Sequence, residues 1–256
     1  MWRFLRITLL LLVLFVVAAT AWLDRRGSRD WREPLWVGLY PVRGDDDPVT
    51  REHVARLDRA SFASIEAFFA REGRGYAVPA QPVHIELYPR VKTSPPELPA
   101  GAGWLRTATW SLSMRWYASR AVAQAGGAPP SIRIFVIYHA PARTSVLPHS
   151  LGLSKGLIGV VHAYADRDHE GANAVVIAHE LLHTLGATDK YDPATLMPRF
   201  PEGFAEPGRE PRYPQPLTEI MAGRRALSAA RAEMPDSLGQ VVVGTATATE
   251  IAWAAP

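Results

Sequence analysis

His179, Glu180 and His183 stand as His-Glu-Leu-Leu-His within an apolar stretch that includes Val175, Val176 and Leu185. On a helix, residues four apart share a face about one turn apart. Two imidazoles so placed can both reach one cation at ~2.0–2.1 Å, the usual zinc–nitrogen distance. Glu180, beside the first His, points aside from that line, which suits a general base holding metal-activated water rather than a ligand. Gly186 follows three residues after His183. A glycine there can take positive φ, end the helix and turn the chain back. Asp189, three residues further on, then offers a carboxylate as third ligand. Two His and one carboxylate leave a fourth position for water, the pattern of catalytic rather than structural zinc. The expected chemistry is hydrolysis with Zn2+ as cofactor, His179, His183 and Asp189 as ligands, and Glu180 as base.

An Asp reaches less far than a His, so the backbone must approach the ion more closely. Asp192, and further on Glu202, Glu206, Glu210 and Glu219, are reserve third ligands. Gly186 favours Asp189, because the return turn has no other evident reason. His53, His84, His139, His149, His162 and His169 show no ligand spacing among themselves and read as surface or satisfied core residues. Tyr191 and Tyr213 follow the site and offer hydroxyls to a tetrahedral intermediate. Asp45-Asp46-Asp47 adjoins Gly44 and Pro48 and reads as a solvated turn.

The elements that must position these groups follow from periodicity. Leu35–Val42 reads as a strand, and Thr50–Arg71 has helical apolar spacing at Val54, Leu57, Phe62, Ile65 and Phe68. Pro82–Tyr88 alternates as a half-exposed strand. Thr107–Val122 reads as a helix, Ser131–Tyr138 and Gly156–Tyr164 as strands, and Asn173–Leu185 as the helix carrying the two His. Residues 189–216 hold seven Pro and read as irregular loop. Arg224–Glu233 reads as a short helix. Residues 241–256 carry no assignable pattern. Strands alternating with helices predict an α/β (α+β) domain. It comprises a mixed twisted sheet backed by two long helices, an active-site helix, and an irregular C-terminal subdomain.

The chain has 256 residues and no Cys, which excludes disulfides, thiolate metal sites and cysteine nucleophiles. Its net charge is +3, but residues 1–33 hold six Arg and three acids, leaving 22 basic and 22 acidic residues in 34–256. A neutral body argues against nucleic acid as partner. Residues 7–23 form an uncharged apolar run flanked by Arg3, Arg6, Arg25 and Arg26. About 17–25 apolar residues can span a bilayer as a helix. The run reads as an N-terminal transmembrane anchor, with a cleaved signal peptide as the alternative, since Ala19-Thr20-Ala21 has the small-x-small form of a cleavage site. Either reading expects the remainder outside the cytoplasm, periplasmic or at the cell surface, and secreted if the N-terminus is cleaved. The expected organisation is a membrane anchor or signal (1–26), a linker (27–34), a zinc-binding domain (35–240) and a tail (241–256).

The stretch 179–189, HELLHTLGATD, resembles the zinc-binding consensus HExxHxxGxx(H/D) of the metzincin metallopeptidases. Most of that family carries His at the last position; Asp189 is similar to the smaller snapalysin-like branch. The resemblance implies a zinc endopeptidase acting on peptides or proteins. It also implies an edge strand before the active-site helix that lines the substrate cleft, a place held by Gly156–Tyr164. It further implies a methionine-containing turn beneath the metal. Met221, in Glu219–Gly223, is the preferred candidate because a helix-like run follows it. Met197, eight residues after Asp189, is the alternative. From another class, a membrane-tethered binding or assembly module with a structural or vestigial zinc site would fit the same ligands. Retention of Glu180 speaks against it, since a structural site needs no base.

Overall fold

The computed structural model describes residues 29–98, 101, 103–154 and 156–253, with isolated positions before residue 29. The expected transmembrane run 7–23 lies almost wholly outside the described residues. Among those described, no helix is long and apolar enough to cross a membrane.

A five-stranded mixed sheet organises the fold. Its strands are β1 (Leu35–Arg43), β2 (Val83–Leu87), β3 (Ile132–His139), β4 (Leu151–Leu153) and β5 (Ile158–Tyr164), in the order β2-β1-β3-β5-β4. The first four in that order run parallel, and β4 pairs antiparallel with β5. β1 and β3 are almost continuously apolar, as strands covered on both faces must be. β2, at one edge, buries Val83 and Ile85 while Glu86 faces out.

Helices cover both faces of the sheet. On one face lie α1 (Pro48–Arg56), α2 (Ala63–Glu72), α4 (Glu170–Thr184) and α5 (Thr245–Glu250). Their core includes Ile65, Phe68, Val136, Ile177, Leu181 and Ile251. On the other face α3 (Trp104–Ala125) packs Trp110, Met114, Tyr117 and Ala121 against Tyr40, Phe135 and Val160. Parallel strands need crossover connections, and α1/α2 and α3 supply the first two.

Four expectations need correction. The helix expected over Thr50–Arg71 is broken. Leu57 is extended, and Asp58 accepts from Ser61 N (3.0 Å) while its own N–H donates to Ser61 Oγ, in a capping box. A short side-chain acceptor satisfies the backbone locally and ends the helix despite unbroken apolar spacing. Second, Gly156–Tyr164 does not hold the sheet edge. β5 is paired on both sides, and the edge is β4, three residues too short to show alternation. Third, Arg224–Glu233 forms not a helix but an antiparallel pair, β7 (Arg225–Ala226) with β8 (Ala232–Glu233), following β6 (Thr218–Glu219). Gly223 at φ +66° redirects the chain, and Arg225 pairs with Glu233 across the ladder. Fourth, residues 241–253 are no tail: they form β9 (Val241–Val242) and α5, and Ile251 and Trp253 are core residues. Trp31, expected in a linker, packs edge-on to Trp253 and donates from Nε1 to the Ile251 carbonyl (2.7 Å).

Candidate metal centre

The two His lie on the α4 face that looks away from the core, while Leu181 and Leu182 anchor the helix inside it. Asn173 ties the start of α4 to β5, accepting from Tyr164 N (3.1 Å) and donating to Tyr164 O (2.9 Å). At the other end the chain turns as the sequence predicts. Gly186 sits at φ +99°, donates to His183 O (3.0 Å), and Ala187 N donates to Leu182 O (3.0 Å).

The turn delivers Asp189 to the two rings. Its Oδ1 lies 3.3 Å from His179 Nε2 and 3.2 Å from His183 Nε2. One atom from each of the three residues falls within 4.8 Å of the others, and among the described residues no other such group of three occurs. Asp192 instead accepts from Ala194 N and Thr195 N in its own turn, and Glu202, Glu206 and Glu210 are exposed. Glu219 is fully buried and takes Thr247 Oγ1 (2.6 Å), Gly244 N (3.2 Å) and Ala222 N (2.9 Å). It builds the turn under the site rather than facing the ion position.

The hydrogen bonds fix the tautomers. His179 Nδ1 lies 2.9 Å from Ile220 O, and His183 Nδ1 lies 2.8 Å from Ala187 O. A carbonyl can only accept, so each Nδ1 carries the proton and each neutral ring turns an Nε2 lone pair inward. Asp189 Oδ1 is buried without a hydrogen-bond partner. With both rings neutral, three lone pairs converge with no proton among them, and a cation can satisfy such a donor set. Backbone carbonyls holding the remote ring nitrogens are the outer support that metal-binding imidazoles require. Burial alone would raise the Asp189 carboxyl, but the two imidazoles outweigh it and hold it well below the usual carboxylate range. Burial would likewise push the His183 ring down, and Asp189 and Glu180 reverse that into a raised pKa.

Glu180 stands beside this group, 6% exposed, with Oε2 buried and unpartnered. Burial raises its pKa, partly opposed by the two neighbouring rings. Met221 is completely buried in the 3-10 turn Ile220–Ala222, directly after the carbonyl that holds His179, and its own carbonyl accepts from Lys190 N (2.8 Å). Met197 is half-buried in the loop, where its carbonyl accepts from Asp192 N (2.9 Å). Of the two methionines, only the Met221 turn braces both a ring and the Asp189 strand of chain.

The group opens into a cleft of about 780 Å³ between β4, the loop before it, the face of α4 and the segment 222–236. Tyr191 lines it, its hydroxyl pKa pushed up by burial and then by the Asp189 and Glu180 carboxylates. Tyr213 packs instead on Phe204. His149, His162 and His169 also line the cleft. Sequence spacing missed them because β5 and its flanking loops bring them together only in the fold. His162 Nδ1 lies 2.9 Å from His139 Nε2, and His169 Nδ1 lies 2.7 Å from Asp166 Oδ1. His53 packs at a tilt against Tyr138, and His84 lies beside Glu66. The Asp45–Asp47 turn is structural: Asp45 accepts from Ala140 N, and Asp47 caps α1 through Val49 N.

No protein-family model and no curated protein matches this sequence.

Proposed function

We propose that the chain is a zinc-dependent endopeptidase, as the likeness of residues 179–189 to the metzincin consensus implies. One observation carries the reading: a buried carboxylate oxygen without a partner, Glu180 Oε2, sits next to three converging lone-pair donors at the wall of a cleft. A structural metal site has no use for that fourth group. The donor set of two imidazoles and one carboxylate suits zinc and leaves a position open.

His179, His183 and Asp189 would hold the ion. When bound there, zinc would polarise a carbonyl and make a water acidic near neutral pH. Glu180 takes the proton from the attacking water at its carboxylate and passes it to the departing amine nitrogen. Burial raises its basicity. β4 positions substrate. It is the terminal strand, so one of its backbone edges is free of sheet partners, and Leu151 and Gly152 line the cleft. An extended peptide can pair with such an edge across the mouth of the site.

The test is direct. The purified protein is assayed for bound zinc and for cleavage of unfolded proteins, beside Glu180→Gln. Zinc in both, with kcat lowered by ~10²–10⁴ in the variant, supports the peptidase. Zinc in both with no turnover in either identifies a metal-bearing binding module instead, and equal turnover in the two removes Glu180 as the base.

A further inference from the structure

Helix α3 has two apolar faces. The inner one carries Trp110, Met114 and Tyr117 into the core. The outer one has no partner among the described residues: Trp104, Ala108, Leu112 and Trp116 recur every four residues, with Leu105 beside them. Trp104 is 78% exposed, Leu112 61% and Trp116 65%. Residues spaced by four drift slowly around a helix, so these side chains form one continuous outward arc. A helix packed on one side by its core normally shows polar residues on the other.

The charge around this arc is one-sided. Trp104–Ala125 holds three Arg and no Asp or Glu. The stretch 88–156 that carries it has eight basic residues and one acid, Glu97, whereas the rest of 34–256 has 14 basic and 21 acidic. Charge in the neutral body is therefore unevenly distributed along the chain. Arg106 and Arg120 are exposed along one border of the arc, and the Arg120 guanidinium lies 5.4 Å from the Trp116 ring centre.

We propose that the outer face of α3 docks on an anionic lipid surface. Aliphatic and Trp side chains at the centre enter the headgroup–acyl boundary, and flanking Arg meet lipid phosphates. A nucleic-acid groove would need the cations along its middle and aromatic rings free to stack. Here the middle is Leu and Ala, which favours lipid. The inference is independent of the hydrolytic reading. It concerns the opposite layer of the sheet from α4 and does not depend on the ion.

The absence of Cys allows a clean test in the full chain. Leu112→Cys, labelled with an environment-sensitive fluorophore, is reconstituted into phosphatidylcholine vesicles with and without phosphatidylglycerol. A second label at Ala229→Cys, in the exposed turn between β7 and β8, reports on any general response. The expected result is a blue shift at position 112 only, in phosphatidylglycerol vesicles only. Arg106→Gln with Arg120→Gln should lower the docked fraction relative to the undocked by roughly an order of magnitude. A label that stays water-like on anionic vesicles overturns the proposal. So does a shift that grows with protein concentration without lipid, which marks a second copy as occupant. A shift produced equally by a DNA duplex overturns it as well.

Discussion

Glu250, on the last helix, reaches across the fold to Lys190: its Oε2 lies 2.7 Å from Lys190 Nζ. The same carboxylate accepts from Thr188 N (2.8 Å) and Thr188 Oγ1 (2.7 Å). Both chain neighbours of Asp189 are therefore held by one side chain from a segment 60 residues later. Lys190 is 5% exposed, so its ammonium depends on this partner. Glu250→Ala should destabilise the protein by a few kcal/mol, because it leaves a buried charge unpaired. Zinc affinity should fall about 10–100-fold, the usual effect of losing outer support. Glu250→Gln keeps one acceptor and should recover part of that affinity. Competition with a chromogenic chelator measures both; unchanged affinity in the alanine variant would remove Glu250 from the ligand support.

Zinc itself should stabilise the fold. The ligands come from α4 and from the loop beyond Gly186, so binding ties two segments together. At ~1,000 times its Kd, zinc should add about 4 kcal/mol. For a domain of this size that raises Tm by roughly 10 °C. Asp189→Ala or His183→Ala should abolish most of this shift, read by thermal denaturation with and without chelator. A shift that survives both substitutions would place the ion elsewhere.

Gly152 on β4 sets how closely the edge strand approaches α4. A Cβ there would lie 2.5 Å from both Glu180 O and His183 Cβ. These are backbone and inner side-chain atoms, which cannot swing away. Gly152→Ala should cost about 1–3 kcal/mol and displace the base and one ligand together. Gly159→Ala is the comparison: its Cβ meets Ile134 Cγ1 at 3.3 Å, a milder contact on the next strand. Urea unfolding and zinc titration of the two variants distinguish them.

Acid should weaken the fold through histidines outside the metal group. Burial, and then the neighbouring His139, lower His162 to about 4. Burial also lowers His139 and His53. The unfolded value is about 6.5, so between those values the unfolded chain binds more protons. The stability contribution is therefore complete above about pH 6.5 and is lost as pH falls toward about 4. His162→Gln cannot take up that proton and should flatten the slope, as measured by urea midpoints at about pH 7 and about pH 5. An unaltered slope would contradict the depressed value.

The metal group was legible in the chain because its geometry is local. His179 and His183 are fixed by helical rise and Asp189 by one glycine turn, so three candidate ligands lie within eleven consecutive residues. Long apolar strands such as β3 were equally plain, since burial on both faces needs uninterrupted hydrophobic side chains. What pairs across the fold left no such trace. β4 is three residues long, and only pairing with β5 makes it the edge of the cleft. Asp58 broke a helix whose apolar spacing continues through it, because a local side-chain hydrogen bond competed with the backbone ladder. Glu250, Glu219 and Ile220 brace the site from segments far along the chain. Nothing in residue spacing reports such a contact, for it exists only once the core has brought those segments together. The sequence alone determined which groups can grip an ion and which carboxylate stands beside them; the tertiary structure decided which carbonyls orient them, which strand borders them, and that this carboxylate is buried without a partner.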